Sequence, residues 1–336
     1  MNKSDSERIA GWYKSRGWEL VKEIKKADEV VINTCSVRES AENRVLGLIN
    51  NLSKLSRRPK IILTGCMFRY PLKWLKDRLP EVDEFRKIHE FYRAKPIREA
   101  LIHAWVPVME GCNNFCTYCV VPMARGREVS RPFKEIVCEI EELVRRGYKE
   151  VTLLGQNVNS YCKTLPPGCI NVLIRRYKVK TPFAALLGRL HQIKDLKKIS
   201  FLTSNPWDLN DEIIEAMALP KIDRHLHLAV QSGDDEILRR MNRKYTAKQF
   251  IELVKKIRMK IPGIKIGTDI IVGFPGETEE QFQKTVSLCR KVGFEKAYIA
   301  MYSPRWGTAA YKFKDNVPYF EKKRRWRILE ELINQG

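Results

Sequence analysis

Three cysteines lie close together in the chain, Cys112, Cys116 and Cys119, with the spacing C-x3-C-x2-C. Three thiolates can hold a 4Fe-4S cluster and leave one of its irons open to a substrate or a cofactor. A structural zinc site would need four closed ligands, and His103, the nearest histidine upstream, lies before the preceding strand-like run. We therefore predict a catalytic iron-sulfur cluster in this loop.

Two further cysteines, Cys35 and Cys66, each follow a short apolar run that is predicted to be a strand. The runs are Asp28–Thr34 and Lys60–Thr64. A free cysteine is often only a packing residue. Ligands of open α/β sheets bind at the carboxyl ends of strands, so the matched placement of both thiols favours a role as ligands.

The chain after about residue 104 alternates strand-like runs with helical segments. Such units predict a parallel sheet curled into a partial (β/α)6 barrel, with active residues at the carboxyl ends of the strands. The runs are Trp105–Met109, Val151–Leu154, Ile199–Thr203, His225–Val230, Ile264–Val272 and Ala297–Tyr302. The residues just past strand ends are Cys112, Asn157, Ser204, Gln231 and Gly273.

The part of the chain before residue 104 shows a smaller α/β alternation. A helix is predicted from Ile9 to about Lys26, and another runs through Leu52 between the two strands. The charged stretch 83–103 has no strong period and is predicted to be a linker with some helix. We therefore predict the α/β class, with a Rossmann-like N-terminal domain over 1–103 and a barrel domain over 104–320.

Charge and composition indicate what kind of partner the protein binds. Lys and Arg number 62 against 40 Asp and Glu, a net charge of +22. This excess of positive charge favours a polyanionic partner, first of all nucleic acid. The alternative explanation is a solvated basic surface that serves only solubility. No stretch approaches the ~18 apolar residues of a membrane span, and Met1–Glu7 is polar, without a signal-peptide core. We expect a soluble, cytoplasmic protein with no membrane partner, whose cysteines stay reduced.

Several motifs resemble one known family. The run Val108–Pro122, followed by Arg125–Pro132, resembles the radical S-adenosylmethionine (SAM) signature of the tRNA methylthiotransferases of the MiaB type. Leu154–Tyr161 is similar to the form that modifies isopentenylated adenosine. The segments that fit the same family are Asn33–Glu39, Leu153–Tyr161, Leu226–Gly233, Ile271–Thr278 and Tyr302–Arg305.

The resemblance implies a radical-SAM fold and a reaction. SAM would chelate the open iron and be split into methionine and a 5′-deoxyadenosyl radical, which removes hydrogen from the adenine ring of N6-dimethylallyladenosine next to the anticodon. A second 4Fe-4S cluster in the N-terminal domain would supply sulfur, and a second SAM the methyl group, to give 2-methylthio-N6-dimethylallyladenosine. The implied partners are tRNA, an electron donor such as flavodoxin or ferredoxin, and an unknown sulfur donor.

The resemblance also implies site residues. Cys112, Cys116 and Cys119 would hold the catalytic cluster, and Cys35 and Cys66 the second one. The residues expected around SAM are Gly155 and Gln156 at its methionine end, Gln231 and Ser232 near its ribose, and Gly273 and Phe274 near its adenine.

Two groups of basic residues are predicted to contact tRNA. The first group follows the cysteine loop and consists of Arg125, Arg127 and Arg131. The second is a basic run around Trp326, with an exposed helix face as the alternative explanation; it consists of Lys322, Lys323, Arg324, Arg325 and Arg327.

The chain departs from the family pattern at both ends. The family has a third N-terminal cysteine just before the segment that here starts at Met1, so two of three cysteines remain for the second cluster. It also ends in a small RNA-binding β-barrel, of which 321–336 would be only the start of the link. Two alternative functions stay open. The chain could be a methylthiotransferase that acts on threonylcarbamoyladenosine in tRNA or on a ribosomal protein. It could also be an inactive tRNA-binding or iron-sulfur protein, as the missing segments would suggest.

Overall fold

The structure is a computed structural model that describes residues 1–36, 39–162, 173–174 and 177–335. Val37 and Arg38 of the Asn33–Glu39 motif lie outside the described residues. The chain forms two compact units: Met1–Ala100 together with Cys119–Arg127, and Leu101–Tyr118 together with the chain from Glu128 onward. The domain ranges drawn from the sequence stay a prediction.

The first unit is built on a parallel sheet in the order β1-β2-β3. Apolar residues of the strands and helices, among them Ile32, Ile49 and Leu63, form its core. The strands are β1 (Glu29–Thr34), β2 (Lys60–Gly65) and β3 (Glu84–Phe85), and the helices are α1 (Asn2–Lys14), α2 (Glu39–Ser53), α3 (Leu72–Arg78) and α4 (Val121–Arg125). Strands linked through helices are the Rossmann-like arrangement that was predicted.

Two local predictions for this unit are wrong. The helix expected to reach Lys26 ends at Lys14, because Gly17 turns the chain at φ +83° and the segment beyond it offers no buried face. The stretch expected to be a linker with some helix does contain a short 3-10 helix, Ile88–Phe91, but it also contains β3, which pairs with Ile62 and Leu63 of β2. A strand of two residues is too short to show a period.

The second unit contains a parallel sheet in two parts, β4-β7-β10 and β11-β12-β13. A parallel bridge between Ser204 and Leu228 joins the two parts. The strands are β4 (His103–Pro107), β5 (Met109–Glu110), β6 (Val129–Ser130), β7 (Glu150–Leu154), β8 (Leu173–Ile174), β9 (Tyr177–Lys178), β10 (Lys198–Phe201), β11 (His225–His227), β12 (Lys265–Val272) and β13 (Lys296–Met301). β5 and β6, and likewise β8 and β9, form short antiparallel pairs.

Helices alternate with the long strands, and apolar side chains from both pack into one core. They are α5 (Phe133–Arg145), α6 (Pro182–His191), α7 (Asp211–Met217), α8 (Asp235–Arg240), α9 (Ala247–Lys260), α10 (Glu279–Val292) and α11 (Tyr319–Asn334). Along β12 the alternate residues Ile266, Thr268, Ile270 and Val272 are buried, because side chains alternate between the faces of a strand. The order of helices and parallel strands agrees with the predicted partial barrel.

Candidate active site

The loop after β4 carries two of the predicted cluster ligands in the second unit. Cys112 is buried, and burial raises the pKa of its thiol to about 11, against the opposing effect of a hydrogen bond from the Asn114 main chain. Phe115 adopts φ +48°, a left-handed conformation that few non-glycine residues adopt. The side-chain amide of Asn242 donates to the carbonyl oxygens of Asn114 and Phe115, each at 3.1 Å. Contacts from outside the loop therefore hold its shape.

Arg243 places a buried cation beside one of these cysteines. Its Nη1 lies 3.4 Å from Cys116 Sγ, and its Nη2 donates to the carbonyl oxygen of Ala229 at 2.8 Å. The guanidinium also stacks over the Trp207 ring at 4.6 Å. A fixed positive charge favours an anionic sulfur, so Arg243 both supports Cys116 as a ligand and ties its loop to the end of β11.

In the described ranges no group of three or more His, Cys, Asp or Glu side chains is arranged to hold a metal ion. Cys119 begins the stretch Cys119–Arg127, which belongs to the first unit. The donor chemistry nevertheless fits, because three thiols in one short loop, one of them beside a guanidinium, are the donors that an iron-sulfur cluster requires.

Polar atoms at the carboxyl ends of three strands lack protein partners. Within the described part of the chain, Gln156 Oε1, Ser204 Oγ and Gln231 Oε1 are buried without a hydrogen bond. Thr203 and Gln231 each have φ +66°, and such strain costs of order 1–3 kcal/mol per residue. A buried polar atom without a partner is also costly. The edge therefore fits a polar ligand such as SAM.

Two glycines shape the same edge. A Cβ at Gly155 would lie 2.5 Å from Met109 Cγ, and the Gly155 carbonyl accepts a hydrogen bond from Thr203 Oγ1 at 2.7 Å. Gly273 has φ +68°, and its N–H donates to Glu277 Oε2 at 2.6 Å. Neither position accepts a side chain without strain, so both are places where neighbouring side chains pack directly against the main chain at the strand ends.

Two predicted SAM contacts have side chains that face the protein interior. Ser232 is fully buried and its hydroxyl lies 3.4 Å from Thr285 Oγ1. Phe274 is fully buried, and its ring packs edge-on against Tyr302 at 5.3 Å and against Phe313 at 6.1 Å. A cofactor contact at Ser232 or Phe274 is therefore limited to main-chain atoms.

The first unit brings its two predicted cysteines to neighbouring strand ends. Thr34 of β1 pairs with Gly65 of β2, and Cys35 and Cys66 follow these residues. Burial raises the pKa of the Cys66 thiol, while the charge and hydrogen bond of Arg125 work in the opposite direction. Iron-sulfur clusters take cysteine thiolates as ligands, usually four of them, so two thiols do not complete such a site.

Arg125 is not at the surface as predicted for an RNA contact. Its side chain is 3% exposed and forms an ion pair of 2.6 Å with Asp5, which is 2% exposed. Its Nη2 also donates to Asn2 Oδ1 at 3.1 Å. The prediction of a phosphate contact is wrong for this residue, because its charge is used inside the first unit beside Cys66.

Family models match both units of the chain. The radical SAM superfamily matches residues 106–289, and an uncharacterized protein family, UPF0004, matches residues 1–86. The first match includes the cysteine loop and the strand-end loops up to Glu277.

Curated relatives match nearly the whole chain. The tRNA-2-methylthio-N(6)-dimethylallyladenosine synthase of Carboxydothermus hydrogenoformans is 44% identical over 99% of this chain and 81% of that protein. The chain belongs to this family. Proteins of the same name from Thermoanaerobacter and Dehalococcoides mccartyi are 40% and 44% identical, and the matches cover 100% and 99% of this chain and 76% and 79% of those proteins.

Solved radical-SAM structures share the fold of this synthase family member. The methyltransferase TsrM from Kitasatospora setae, solved with cobalamin and a [4Fe-4S] cluster, matches with a TM-score of 0.58 and 15% identity, over 88% of this chain and 67% of that chain. The apo form of the cobalamin-dependent radical enzyme OxsB matches with a TM-score of 0.52 and 11% identity, over 89% of this chain and 47% of that chain. At such identities the likeness concerns the fold alone, and it confirms the predicted radical-SAM fold.

The basic run near the C-terminus divides between surface and interior. Lys323, Arg324 and Arg327 are exposed, and for them the RNA contact stays a prediction. The side chains of Lys322 and Arg325 are only 7% and 5% exposed and are engaged in ion pairs. Because their side chains are buried in ion pairs, Lys322 and Arg325 are neither available to RNA nor part of an exposed helix face. Both predictions are wrong for these two residues.

The other two predicted RNA contacts lie after the cysteine loop. Arg127 is exposed, and its RNA contact stays a prediction. Arg131 Nη1 donates to the carbonyl oxygen of Pro107 at 2.7 Å and forms an ion pair of 2.9 Å with Glu139. Arg131 therefore also anchors the end of β4 from within the unit.

Sequence reasoning missed Asn242 and Arg243 in this synthase family member. Both follow α8, and no motif was recognised there. Both act on residues 127 or 128 positions earlier in the chain, so no local spacing could reveal them.

Among the described residues, no helix is long and apolar enough to cross a membrane.

Proposed function

We propose that this chain catalyses the methylthiolation of N6-dimethylallyladenosine in tRNA, as a transferase of a sulfur-containing group. The observation that carries the proposal is the match over 99% of the chain to a synthase named for this product. The three relatives compared above share that name. This favours the dimethylallyl substrate over threonylcarbamoyladenosine or a ribosomal protein.

The catalytic cluster belongs in the loop after β4. Cys112, Cys116 and Cys119 are the residues that would hold it, and Arg243 keeps a positive charge beside Cys116. When bound, a 4Fe-4S cluster and SAM supply the one-electron chemistry that opens a C–H bond of the substrate. The task of the protein is to position these groups and to exclude water around them.

The strand-end edge of the second unit is the proposed SAM site. The partnerless oxygens of Gln156, Ser204 and Gln231 can accept hydrogen bonds from the cofactor. Gly155 and Gly273 lie at the same strand ends, where side chains from neighbouring segments fix their main chain. We add Ser204, which the sequence already placed just past a strand end, to the proposed SAM site. It is 4% exposed, and its hydroxyl has no hydrogen-bond partner in the described part of the chain.

A second 4Fe-4S cluster would lie at the strand ends of the first unit. Cys35 and Cys66 are the two residues that would contribute to it, with Arg125 beside Cys66. The product carries a sulfur atom and a methyl group in place of one ring hydrogen; a sulfur donor, which is sulfide in the reconstituted reaction, would supply the sulfur, and a second SAM the methyl group. The proposed partners are tRNA, a one-electron donor such as flavodoxin or ferredoxin, and a sulfur donor of unknown identity.

Anaerobic reconstitution followed by nucleoside analysis tests the proposal. The full chain would be loaded with iron and sulfide, reduced, and incubated with SAM and tRNA that carries N6-dimethylallyladenosine. A parallel reaction would contain tRNA with threonylcarbamoyladenosine, and a third the ribosomal protein. We expect 5′-deoxyadenosine together with 2-methylthio-N6-dimethylallyladenosine, detected by mass spectrometry, in the first reaction only.

The outcomes separate the alternatives. Product on threonylcarbamoyladenosine or on the ribosomal protein would replace the proposed substrate and keep the radical chemistry. Iron and sulfide uptake without cleavage of SAM would indicate an iron-sulfur protein without turnover, and the proposed activity would then be wrong.

A further inference from the structure

The basic run of α11 contains two residues whose charges are used inside the second unit. Lys322 and Arg325 lie three positions apart and share the buried face of the helix with Leu329. Their side chains are 7% and 5% exposed. Both point at the loop Gly273–Glu277, which follows β12.

Arg325 connects the helix to that loop through a carboxylate. Its Nη1 lies 2.8 Å from Glu277 Oε2 and 3.0 Å from the Glu277 carbonyl oxygen. The same Oε2 accepts the N–H of Gly273 at 2.6 Å. The Glu277 side chain is 1% exposed. The guanidinium thus holds the carboxylate, and the carboxylate fixes the orientation of the Gly273 peptide.

The aliphatic part of the Lys322 side chain packs against the same glycine. A Cβ at Gly273 would lie 2.4 Å from Lys322 Cγ, so the stem packs directly against the glycine. The ammonium lies 2.7 Å from both carboxylate oxygens of Asp315 and donates to the carbonyl oxygen of Tyr302 at 3.1 Å. Because both ends of the side chain are fixed, Gly273 is held at φ +68°.

Contacts also hold the middle of the loop. The N–H of Gly276 donates to Asn316 Oδ1 at 2.7 Å, and Arg240 stacks over Phe274 at 5.6 Å. The segment Asp315–Arg325 therefore contacts the loop at Gly273, Gly276 and Glu277.

A buried ion pair is a poor way to gain stability, because apolar residues of similar size often stabilise a fold as well or better. What charged partners provide here is a defined direction for one peptide N–H and one helix. The main chain at Gly273 lies at the strand-end edge where we place SAM.

We propose that Glu277, Arg325 and Lys322 form a brace that sets the main chain of the Gly273–Glu277 loop for SAM. They are positioning residues and do not contact the cofactor. The inference rests on the proposed function, because that function places SAM at this edge. It assigns the inner half of the basic run to cofactor binding, in place of the tRNA contact expected from the sequence.

Substitution of Arg325 tests the brace. In the reconstituted holoenzyme, Arg325→Met should weaken SAM about tenfold to a hundredfold, the loss expected when a distant change misplaces a binding group. Equilibrium dialysis would measure the SAM dissociation constant, and steady-state kinetics the KM for SAM and kcat. The KM should rise more than kcat falls, and the dissociation constant for tRNA should stay at the parent value.

Two matched variants complete the design. Arg290→Met removes an exposed arginine from the neighbouring helix α10, and it should leave SAM affinity unchanged. Glu277→Gln keeps the size of the side chain and an oxygen for Gly273 but removes the charge, so it should weaken SAM less than Arg325→Met. If Arg325→Met does not fold, Arg325→Lys and Glu277→Gln carry the same test.

Two results would overturn the brace. A variant with lower thermal stability and parental SAM affinity would show that the ion pair serves only the fold. Weaker tRNA binding with unchanged SAM affinity would return Arg325 to an RNA role. A parent enzyme that binds and cleaves SAM but leaves dimethylallyladenosine unmodified would refute the proposed substrate and still test the brace, whereas a parent that does not bind SAM refutes both.

Discussion

Each unit of this molecule places a buried arginine beside a cysteine at a strand-end edge, but the two arginine charges are balanced in different ways. Arg125 faces Cys66 and is already paired with Asp5 at 2.6 Å. Arg243 faces Cys116 at 3.4 Å, and in the described part of the chain it forms no ion pair with a carboxylate. The charge of Arg243 is thus left for an anionic sulfur, whereas that of Arg125 is largely compensated.

The two edges also present their thiols differently. The second unit contributes Cys112 and Cys116 from a loop that Asn242 holds in a strained turn. The first unit contributes Cys35 and Cys66 from two strand ends. A positive charge without a carboxylate partner indicates an edge built to hold an anionic group, and a compensated charge indicates an edge in which the ion pair also stabilises the fold.

The largest difference should appear when one cysteine is removed from each edge. Cys116→Ala should abolish SAM cleavage to the background level, because only its loop would hold the catalytic cluster. Cys66→Ala should leave SAM cleavage unchanged. The measurement is 5′-deoxyadenosine after anaerobic reconstitution, with Cys138→Ala, an exposed cysteine on α5, as the control. Parental cleavage by the Cys116 variant would refute the cluster assignment.

The two arginines should also differ in how much each contributes to the free energy of unfolding. Arg125→Met should lower the free energy of unfolding by about 3–5 kcal/mol, because it leaves the carboxylate of Asp5 buried without its partner. The double variant Asp5→Asn with Arg125→Met should recover most of that loss. Urea unfolding measures both, and a loss under about 1 kcal/mol in the single variant would mean that the pair is more solvated than the structure shows.

Arg243 should affect cluster retention more than the fold. Arg243→Met should reduce affinity for the cluster about tenfold to a hundredfold, the usual effect of losing a partner of a metal ligand. Arg243→Lys keeps the charge but cannot reach Cys116, Ala229 and Tyr245 together, so it should recover only part of the loss. Iron and sulfide per chain during a chelator challenge give the result, and parental retention by Arg243→Met would contradict the comparison.

Much of the fold follows from periodicity. Helix α5 spans Phe133–Arg145, where Ile136, Val137, Ile140 and Leu143 form a regular buried apolar stripe. The barrel strands were placed within a few residues, since each is a short buried run. The N-terminal helix was extended too far because Gly17 ends it with a backbone turn, while polar and apolar residues continue beyond it without an obvious break.

The site was predictable only in part, because some of its contacts join distant parts of the chain. The cysteine loop has its own spacing and needs no partner to be recognised. The role of Arg243 depends on Cys116, 127 residues earlier. Lys322 and Arg325 did carry a signal, since their spacing with Leu329 is that of a buried helix face, but their acidic partners, among them Glu277, lie elsewhere in the sequence.

Binding of tRNA is expected to depend on exposed cations and not on the buried arginines at the two edges. With a net charge of +22, affinity should depend on phosphate contacts by exposed cations. If about six phosphates are neutralised, affinity should fall roughly a thousandfold between 50 and 200 mM salt.

The exposed half of the basic run should carry part of that salt dependence. Lys323→Met together with Arg327→Met should weaken all tRNAs alike and reduce the slope of log affinity against log salt by about two, one for each lost phosphate contact. Arg325→Met and Arg125→Met should leave this slope unchanged, because both side chains are buried. Binding isotherms at several salt concentrations measure the slopes. If a buried variant flattened the slope and the exposed pair did not, the division of cations between interior and surface would be wrong.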